Sequence, residues 1–180
     1  MAAVRTTPLS ATELERYHRD GYLFPIPVLN DGEVAELRMA IDDHLAGRLT
    51  SAKFELTDPI LVRRVDGPEG TELFEYEEGT PNEPHTFAFL FNLWKSDRRF
   101  AKAGMHPVIA GIARQLLGAE RILLMEDNAV VKAPHSGTLP WHQDYSYWPL
   151  AEPAAVTVWI ALDDIGPDNG AMQVAPGTHT

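Results

Sequence analysis

The sequence has no cysteine. Disulfides and thiolate metal sites are therefore excluded, and any metal must be held by nitrogen and oxygen donors. No apolar run approaches the ~20 residues of a transmembrane helix. Met1 to Ser10 lacks the apolar core of a secretory signal peptide. These absences make a soluble, cytoplasmic protein the expectation. Positive charge is also scarce: 15 Lys and Arg stand against 26 Asp and Glu, a net charge of −11. An acidic surface of that kind disfavours nucleic acid and acidic membranes as partners. Oligomeric state is not legible in the sequence.

What is present suffices for one domain. The 180 residues are 44% hydrophobic, enough for a core of real size. Ser10-Ala11-Thr12-Glu13 reads as a capping box, which predicts a helix over about 11–19 stopping before Gly21. Tyr22-Leu23-Phe24 predicts a short strand broken by Pro25 and Pro27. Asn30 with Glu33 predicts the cap of a second helix. Val34, Leu37, Ile41 and Leu45 give it one apolar face, and Gly47 ends it. Glu33, Glu36, Asp42 and Asp43 read as its solvated face, and His44 as a surface residue.

Residues 48–84 carry turn signals at Asp58-Pro59, Gly67-Pro68 and Pro81-Asn82, with six glutamates between Glu69 and Glu83. They read either as a mobile acidic insertion or as a lid, with Phe74 and Tyr76 as its inner face. Phe87 to Trp94 is apolar enough for a buried strand or helix start, and Asn92 and Trp94 either pack there or approach a site. Pro107 opens a helix that Gly118 closes, with Val108, Ile109, Ile112 and Leu116 on one face. His106 reads as its cap or as a surface group. Beyond Arg121 strands are predicted at Ile122–Lys132, Val156–Leu162 and Ala171–Val174, with a turn at Asn169-Gly170. Helices first and strands after indicate an α+β fold.

The stretch with chemistry in it is Leu139 to Trp148. His142 and Asp144 lie two apart among Trp141, Tyr145, Tyr147 and Trp148, residues that favour strands. In a strand both side chains share one face and Gln143 takes the other. An imidazole and a carboxylate that converge are two thirds of a facial triad for Fe(II). The motif alone is weak. Seven His and twelve Asp give about half a His-x-Asp per chain by chance. A second copy, His18-Arg19-Asp20, falls on a predicted helix, where residues two apart diverge, so it is set aside. A local pairing of Asp144, for example with Lys132, is the structural alternative.

The neighbours add a resemblance. Lys132-Ala133-Pro134-His135-Ser136-Gly137 precedes His142-Gln143-Asp144. Val158-Trp159-Ile160-Ala161-Leu162-Asp163-Asp164 and Asn169-Gly170-Ala171-Met172-Gln173-Val174-Ala175-Pro176-Gly177-Thr178-His179 follow. With His18-Arg19-Asp20-Gly21-Tyr22-Leu23 and Val34-Ala35-Glu36-Leu37-Arg38 at the start, the chain resembles the phytanoyl-CoA dioxygenase family of Fe(II)/2-oxoglutarate-dependent oxygenases. The resemblance runs from about residue 9 to the end and is weakest over 48–84.

It implies a double-stranded β-helix, or jelly-roll, core behind N-terminal helices. It implies Fe(II) as cofactor, 2-oxoglutarate and O2 as co-substrates, and hydroxylation of an unactivated C–H bond. His142 and Asp144 match the first two metal ligands. Trp159 matches a tryptophan near the co-substrate, with plain core packing as the alternative. Asn128 falls at a 2-oxoglutarate contact but differs in type from the methionine of some members. The chain's acidity works against a coenzyme A thioester as substrate unless a local basic patch exists. The family's distal histidine ligand and its 2-oxoglutarate arginine lie beyond Thr180. Residues 1–180 are therefore expected to be the N-terminal part of the domain, incomplete at the C-terminus and inactive alone. His179 matches the structural histidine of its segment, not the distal ligand. Two rival readings stand: a non-catalytic binding or scaffold protein that keeps the fold, and a hydrolase or isomerase using another metal.

Overall fold

The computed structural model describes residues 3–46, 60–66, 72–77, 87–132 and 139–179; for 60–66, 72–77 and 87–89 it describes the backbone alone. Eight elements follow in order: α1 (Ala11–Asp20), α2 (Asp31–Leu45), β1 (Ile60–Asp66), β2 (Glu72–Glu77), β3 (Phe87–Phe91), α3 (Arg98–Gly104), α4 (Pro107–Leu117) and β4 (Asn128–Lys132). Single 3-10 turns occupy Leu93–Lys95 and Asp144–Tyr147. The chain divides into two compact units. One comprises Met1–Val34, Met105–Leu123 and Pro140–Thr180; the other comprises Ala35–Gly104 and Leu124–Leu139. Helices and a small sheet make the fold α+β. Among the described residues no helix is long and apolar enough to cross a membrane.

In the first unit local chemistry sets the helices. Ser10 Oγ accepts from Glu13 N at 3.3 Å, and the Glu13 carboxylate accepts from Ser10 N at 2.8 Å, which closes the expected capping box. The Ser10 backbone and side-chain hydrogen bonds, followed by Arg5, hold the Glu13 carboxyl below its ordinary pKa. Asn30 and Glu33 form the same reciprocal cap for α2, with Glu33 N donating to Asn30 Oδ1 at 3.0 Å and Asn30 N to Glu33 Oε2 at 3.1 Å. Pro107 opens α4, with His106 at its N-cap, and Gly118 ends it at φ +60°. Leu9, Ile109, Ile112 and Ala113 are buried. The Gln115 amide pairs with Leu9, taking its N–H at 2.8 Å and donating to its carbonyl at 3.4 Å.

The second unit is built on a four-stranded antiparallel sheet of order β2-β1-β3-β4. Leu61 stands opposite Glu77, Ile60 opposite Phe89, and Phe91 opposite Asn128. Beyond β3, Asn92 takes a left-handed conformation at φ 55° and its N–H donates to Asp127 O at 2.8 Å. The Asp127 carboxylate caps the following 3-10 turn, accepting from Trp94 N at 3.1 Å, and burial raises its pKa. Leu90 and Leu93 are fully buried in this unit, and Leu37, Ala40, Phe100 and Ala129 are buried as well.

Several expectations need correction. Tyr22–Phe24, Val156–Leu162 and Ala171–Val174 are not strands, and Ile122–Lys132 pairs only from Asn128. Alternating apolar residues favour an extended chain, but a strand also needs a hydrogen-bonded neighbour. None pairs with these three stretches among the described residues. The strands β1 and β2 fall within 48–84, where none was expected. The three turn signals of that stretch, the side chains of Phe74 and Tyr76, and Gly47 lie outside what is described.

His44 is not a surface residue. It lies seven residues after Leu37 and four after Ala40, on the same helical face, and its side chain is 9% exposed. Nor is the opposite face simply solvated, because Arg99 bridges Asp43 at 3.0 Å and the buried Asp97 at 2.7 Å. His44 Nε2 lies 3.5 Å from Asp97 Oδ2. Burial lowers the His44 pKa and outweighs the pull of Asp97. Burial alone would raise the Asp97 carboxyl, but the hydrogen bonds from Arg99 leave it below the usual range.

Both depressed values make the folded state bind fewer protons than the unfolded one, so stability rises with pH. The His44 contribution is complete above its unfolded value of about 6.5 and is lost as pH falls through its folded value; that of Asp97 is lost below about 3.8. Urea midpoints measured across this range should therefore fall as pH drops from about 6.5. His44→Gln should remove that part and leave the decline below about 4. A second expectation concerns Gly21, whose φ of +83° favours glycine and where a Cβ would run into the His179 ring. Gly21→Ala should destabilise the protein by about 1–2 kcal/mol, read from the shift in a denaturant melt.

Candidate metal centre

The segment that carries His142 and Asp144 belongs to the first unit. It is not a strand. A 3-10 turn begins at Asp144 and ends at Tyr147. The two side chains nevertheless converge, because the single residue between them, Gln143, is extended at φ −116° and ψ 128°. One extended residue is enough to bring its two neighbours to the same side. Gln143 points away, as alternation requires, and its Nε2 donates to Thr178 O at 2.7 Å. Ser146 fastens the turn by donating from N at 3.1 Å and from Oγ at 2.7 Å to Gln143 O.

His142 Nε2 lies 3.2 Å from Asp144 Oδ1. Its other nitrogen, Nδ1, lies 2.7 Å from Pro140 O. A carbonyl can only accept, so Nδ1 carries a proton. In the neutral ring Nε2 then presents a lone pair to a carboxylate oxygen, and the two repel. A second ring proton or a cation between them removes the repulsion. Two donors bound to one divalent ion at right angles, with bonds of about 2.0–2.2 Å, stand about 2.8–3.1 Å apart. The observed gap is close to that bite. The donor set therefore fits a hard or borderline divalent metal, with His142 in the tautomer that ligation through Nε2 requires. Among the described residues no third His, Asp or Glu joins the pair.

The surroundings are aromatic and half open. The side chains of His142 and Asp144 are 35% and 39% exposed. The Tyr147 ring meets His142 edge to face, with centroids 5.7 Å apart. Tyr145 OH donates to Leu150 O at 3.2 Å. Trp141 and Tyr147 are largely exposed. Asp144 Oδ2 accepts from Thr157 Oγ1. No sequence pattern singled out Thr157, Pro140 or the Gln143–Thr178 bond, because each depends on a contact that the chain makes only once folded.

The other expected site residues fall as follows. Trp159 is in the same unit and is 43% exposed, outside the packed core. Asn128 opens β4 in the second unit, opposite Phe91. Trp94 is in the second unit, with its indole Nε1 buried and without a hydrogen bond among the described residues. His106 sits at the N-cap of α4 with no side-chain capping bond. The His179 ring lies against Gly21, close to Asp20. His18 lies on α1, where its ring meets Tyr17 edge to face, and Asp20 pairs instead with Arg19 at 2.7 Å. His85 and His135 lie outside the described residues.

Comparison with known proteins finds relatives among the oxygenases by name. The chain is 30% identical over 170 residues to L-proline trans-4-hydroxylase of Streptomyces griseoviridis, covering 91% of this chain and 53% of that protein. It is 28% identical over 172 residues to ectoine dioxygenase of Nocardia farcinica, covering 93% of this chain and 50% of the relative. A shorter stretch of 71 residues is 35% identical to a probable alpha-ketoglutarate-dependent hypophosphite dioxygenase of Stutzerimonas stutzeri, covering 39% of this chain and 24% of that protein. The chain thus spans about half the length of the first curated relatives it matches. No solved structure gives a significant match. The family model for phytanoyl-CoA dioxygenase matches residues 17–180, and the chain belongs to that family.

Proposed function

We propose that the protein this chain belongs to is an Fe(II)- and 2-oxoglutarate-dependent dioxygenase that hydroxylates an unactivated C–H bond of a small molecule. The observation that carries the reading is the His142 Nε2–Asp144 Oδ1 approach at 3.2 Å, with His142 Nδ1 committed to Pro140 O. His142 and Asp144 are two metal ligands in this reading. Asn128 and Trp159 are assigned to the co-substrate by the family resemblance, and the segments after Leu139 are assigned to a jelly-roll core. Bound iron with 2-oxoglutarate and O2 supplies oxidative decarboxylation coupled to hydroxylation.

The chain's own residues bind and orient. Pro140 O takes the Nδ1 proton, so Nε2 is the nitrogen the neutral ring offers for ligation, and extended Gln143 keeps both donors on one side. The exposed rings of Trp141 and Tyr147 offer apolar surface to a substrate. Its size is suggested by the relatives, whose names give proline and ectoine as the molecules they act on. A net charge of −11 supports the same choice over a polyanionic thioester. A cytoplasmic setting is part of the proposal.

The test compares wild-type full-length protein with Asp144→Ala, using succinate formation and melting temperature without metal on the same preparations. Asp144 is 39% exposed, so its removal should change apo stability by at most about 1 kcal/mol. Succinate formation should fall to background. A folded Asp144→Ala protein that turns over 2-oxoglutarate near the wild-type rate would sink the assignment.

A further inference from the structure

The two oxygens of the Asp144 carboxylate have different partners. Oδ1 faces His142 Nε2 at 3.2 Å, and Oδ2 accepts a hydrogen bond from Thr157 Oγ1. A carboxylate free to turn about its last bond exchanges its oxygens and can offer a cation either one or both. Here the backbone is already held. Gln143 O takes two bonds from Ser146, and Gln143 Nε2 is tied to Thr178 O. What remains is the side-chain torsion of Asp144, and Thr157 acts on that. Threonine is β-branched and stiff about its first torsion, so its hydroxyl is aimed with little freedom. It comes from a segment 13 residues downstream, so the bond also joins two stretches of the chain at the donor pair.

We infer that Thr157 is a positioning residue for the metal centre. Its hydroxyl occupies Asp144 Oδ2, so the carboxylate presents Oδ1 alone, on the side of His142. The inference rests on the reading of His142 and Asp144 as metal ligands. It assigns Thr157 a role exerted through Asp144, not through the co-substrate, and that separates it from a direct 2-oxoglutarate contact. Bonds of this outer kind fix the direction of a ligand, and their loss weakens metal binding about 10–100-fold.

The experiment titrates Mn(II) into the full-length protein without oxygen and without 2-oxoglutarate, following free Mn(II) by electron paramagnetic resonance. Co(II) absorption serves as a signature of ligand geometry. Four proteins are compared: wild type, Thr157→Val, Thr157→Ser and His142→Ala. Valine keeps the shape and removes the hydroxyl, whereas serine keeps the hydroxyl. Thr157→Val should raise the Mn(II) Kd about 10–100-fold and alter the Co(II) bands, while Thr157→Ser should stay close to wild type.

Thr157 is exposed, so neither change should unfold the protein, and circular dichroism checks this. Thr157→Ala serves the same test should valine disturb the segment. Unchanged Mn(II) affinity and Co(II) bands in Thr157→Val, with binding lost in His142→Ala, overturn the role of Thr157 and leave the metal pair standing. A weak Mn(II) affinity shared by wild type and His142→Ala overturns the pair itself and the inference with it. Thr157→Ser binding as poorly as Thr157→Val also overturns it, because the hydroxyl would then not be the cause.

Discussion

A neutral imidazole has one proton to give, and in this protein it is already given. His142 Nδ1 is committed to Pro140 O, which leaves a lone pair pointing at Asp144 Oδ1. A proline carbonyl suits the task, since it accepts and never donates. The rest of the segment holds the two groups at this separation. Ser146 clamps the turn, Gln143 anchors to Thr178, and Thr157 holds the far carboxylate oxygen. The two groups are held where a proton or a cation between them would satisfy both.

The same logic of restraint runs outward from the pair through the first unit. Thr178 O, which receives Gln143, is followed by His179, whose ring rests on Gly21. Gly177 N donates to Asp20 O at 2.8 Å, at the C-terminus of α1. The end of α1 and the donor pair are thus linked by the Gly177–His179 segment. The glycine that ends the helix is left-handed, and it also gives the histidine room. The buried charges of the second unit are arranged by different means. Arg99 satisfies Asp97 and Asp43 together, and His44 is buried beside them.

How much of this was legible depends on the range of the interaction that decides it. The caps of α1, α2 and α4 were readable because Ser10–Glu13, Asn30–Glu33 and Pro107–Gly118 act within a few residues. Tyr22–Phe24, Val156–Leu162 and Ala171–Val174 were misread as strands because alternation speaks of the chain's own preference and not of a partner. The ladder formed elsewhere: β1 and β2 lie in the stretch rich in glutamates and turn signals, where the apolar run Ile60-Leu61-Val62 opens β1. His44 could have been placed inside, since its spacing from Leu37 and Ala40 marks the buried face. The convergence of His142 and Asp144 was expected from a strand and is delivered by one extended residue. Thr157 could not have been found, because no periodicity links residue 144 to residue 157.

The bond between the Gln115 side chain and the Leu9 backbone spans 106 residues. An amide standing in for a neighbouring peptide gives Leu9 the partners it would have in a sheet, but only after α4 exists. The first unit is assembled from three separated stretches of chain, and Gly177 N closes onto Asp20 O. Contacts between distant residues slow folding, because loop-closure entropy must be met before they form. A ribosome emitting this chain therefore releases α1 long before α4 can dock on it. The sheet of the second unit needs no residue beyond Lys132, so it can form first. Gln143 is tied to Thr178 O, so the approach of His142 to Asp144 gains its full set of restraints only once residue 178 has emerged.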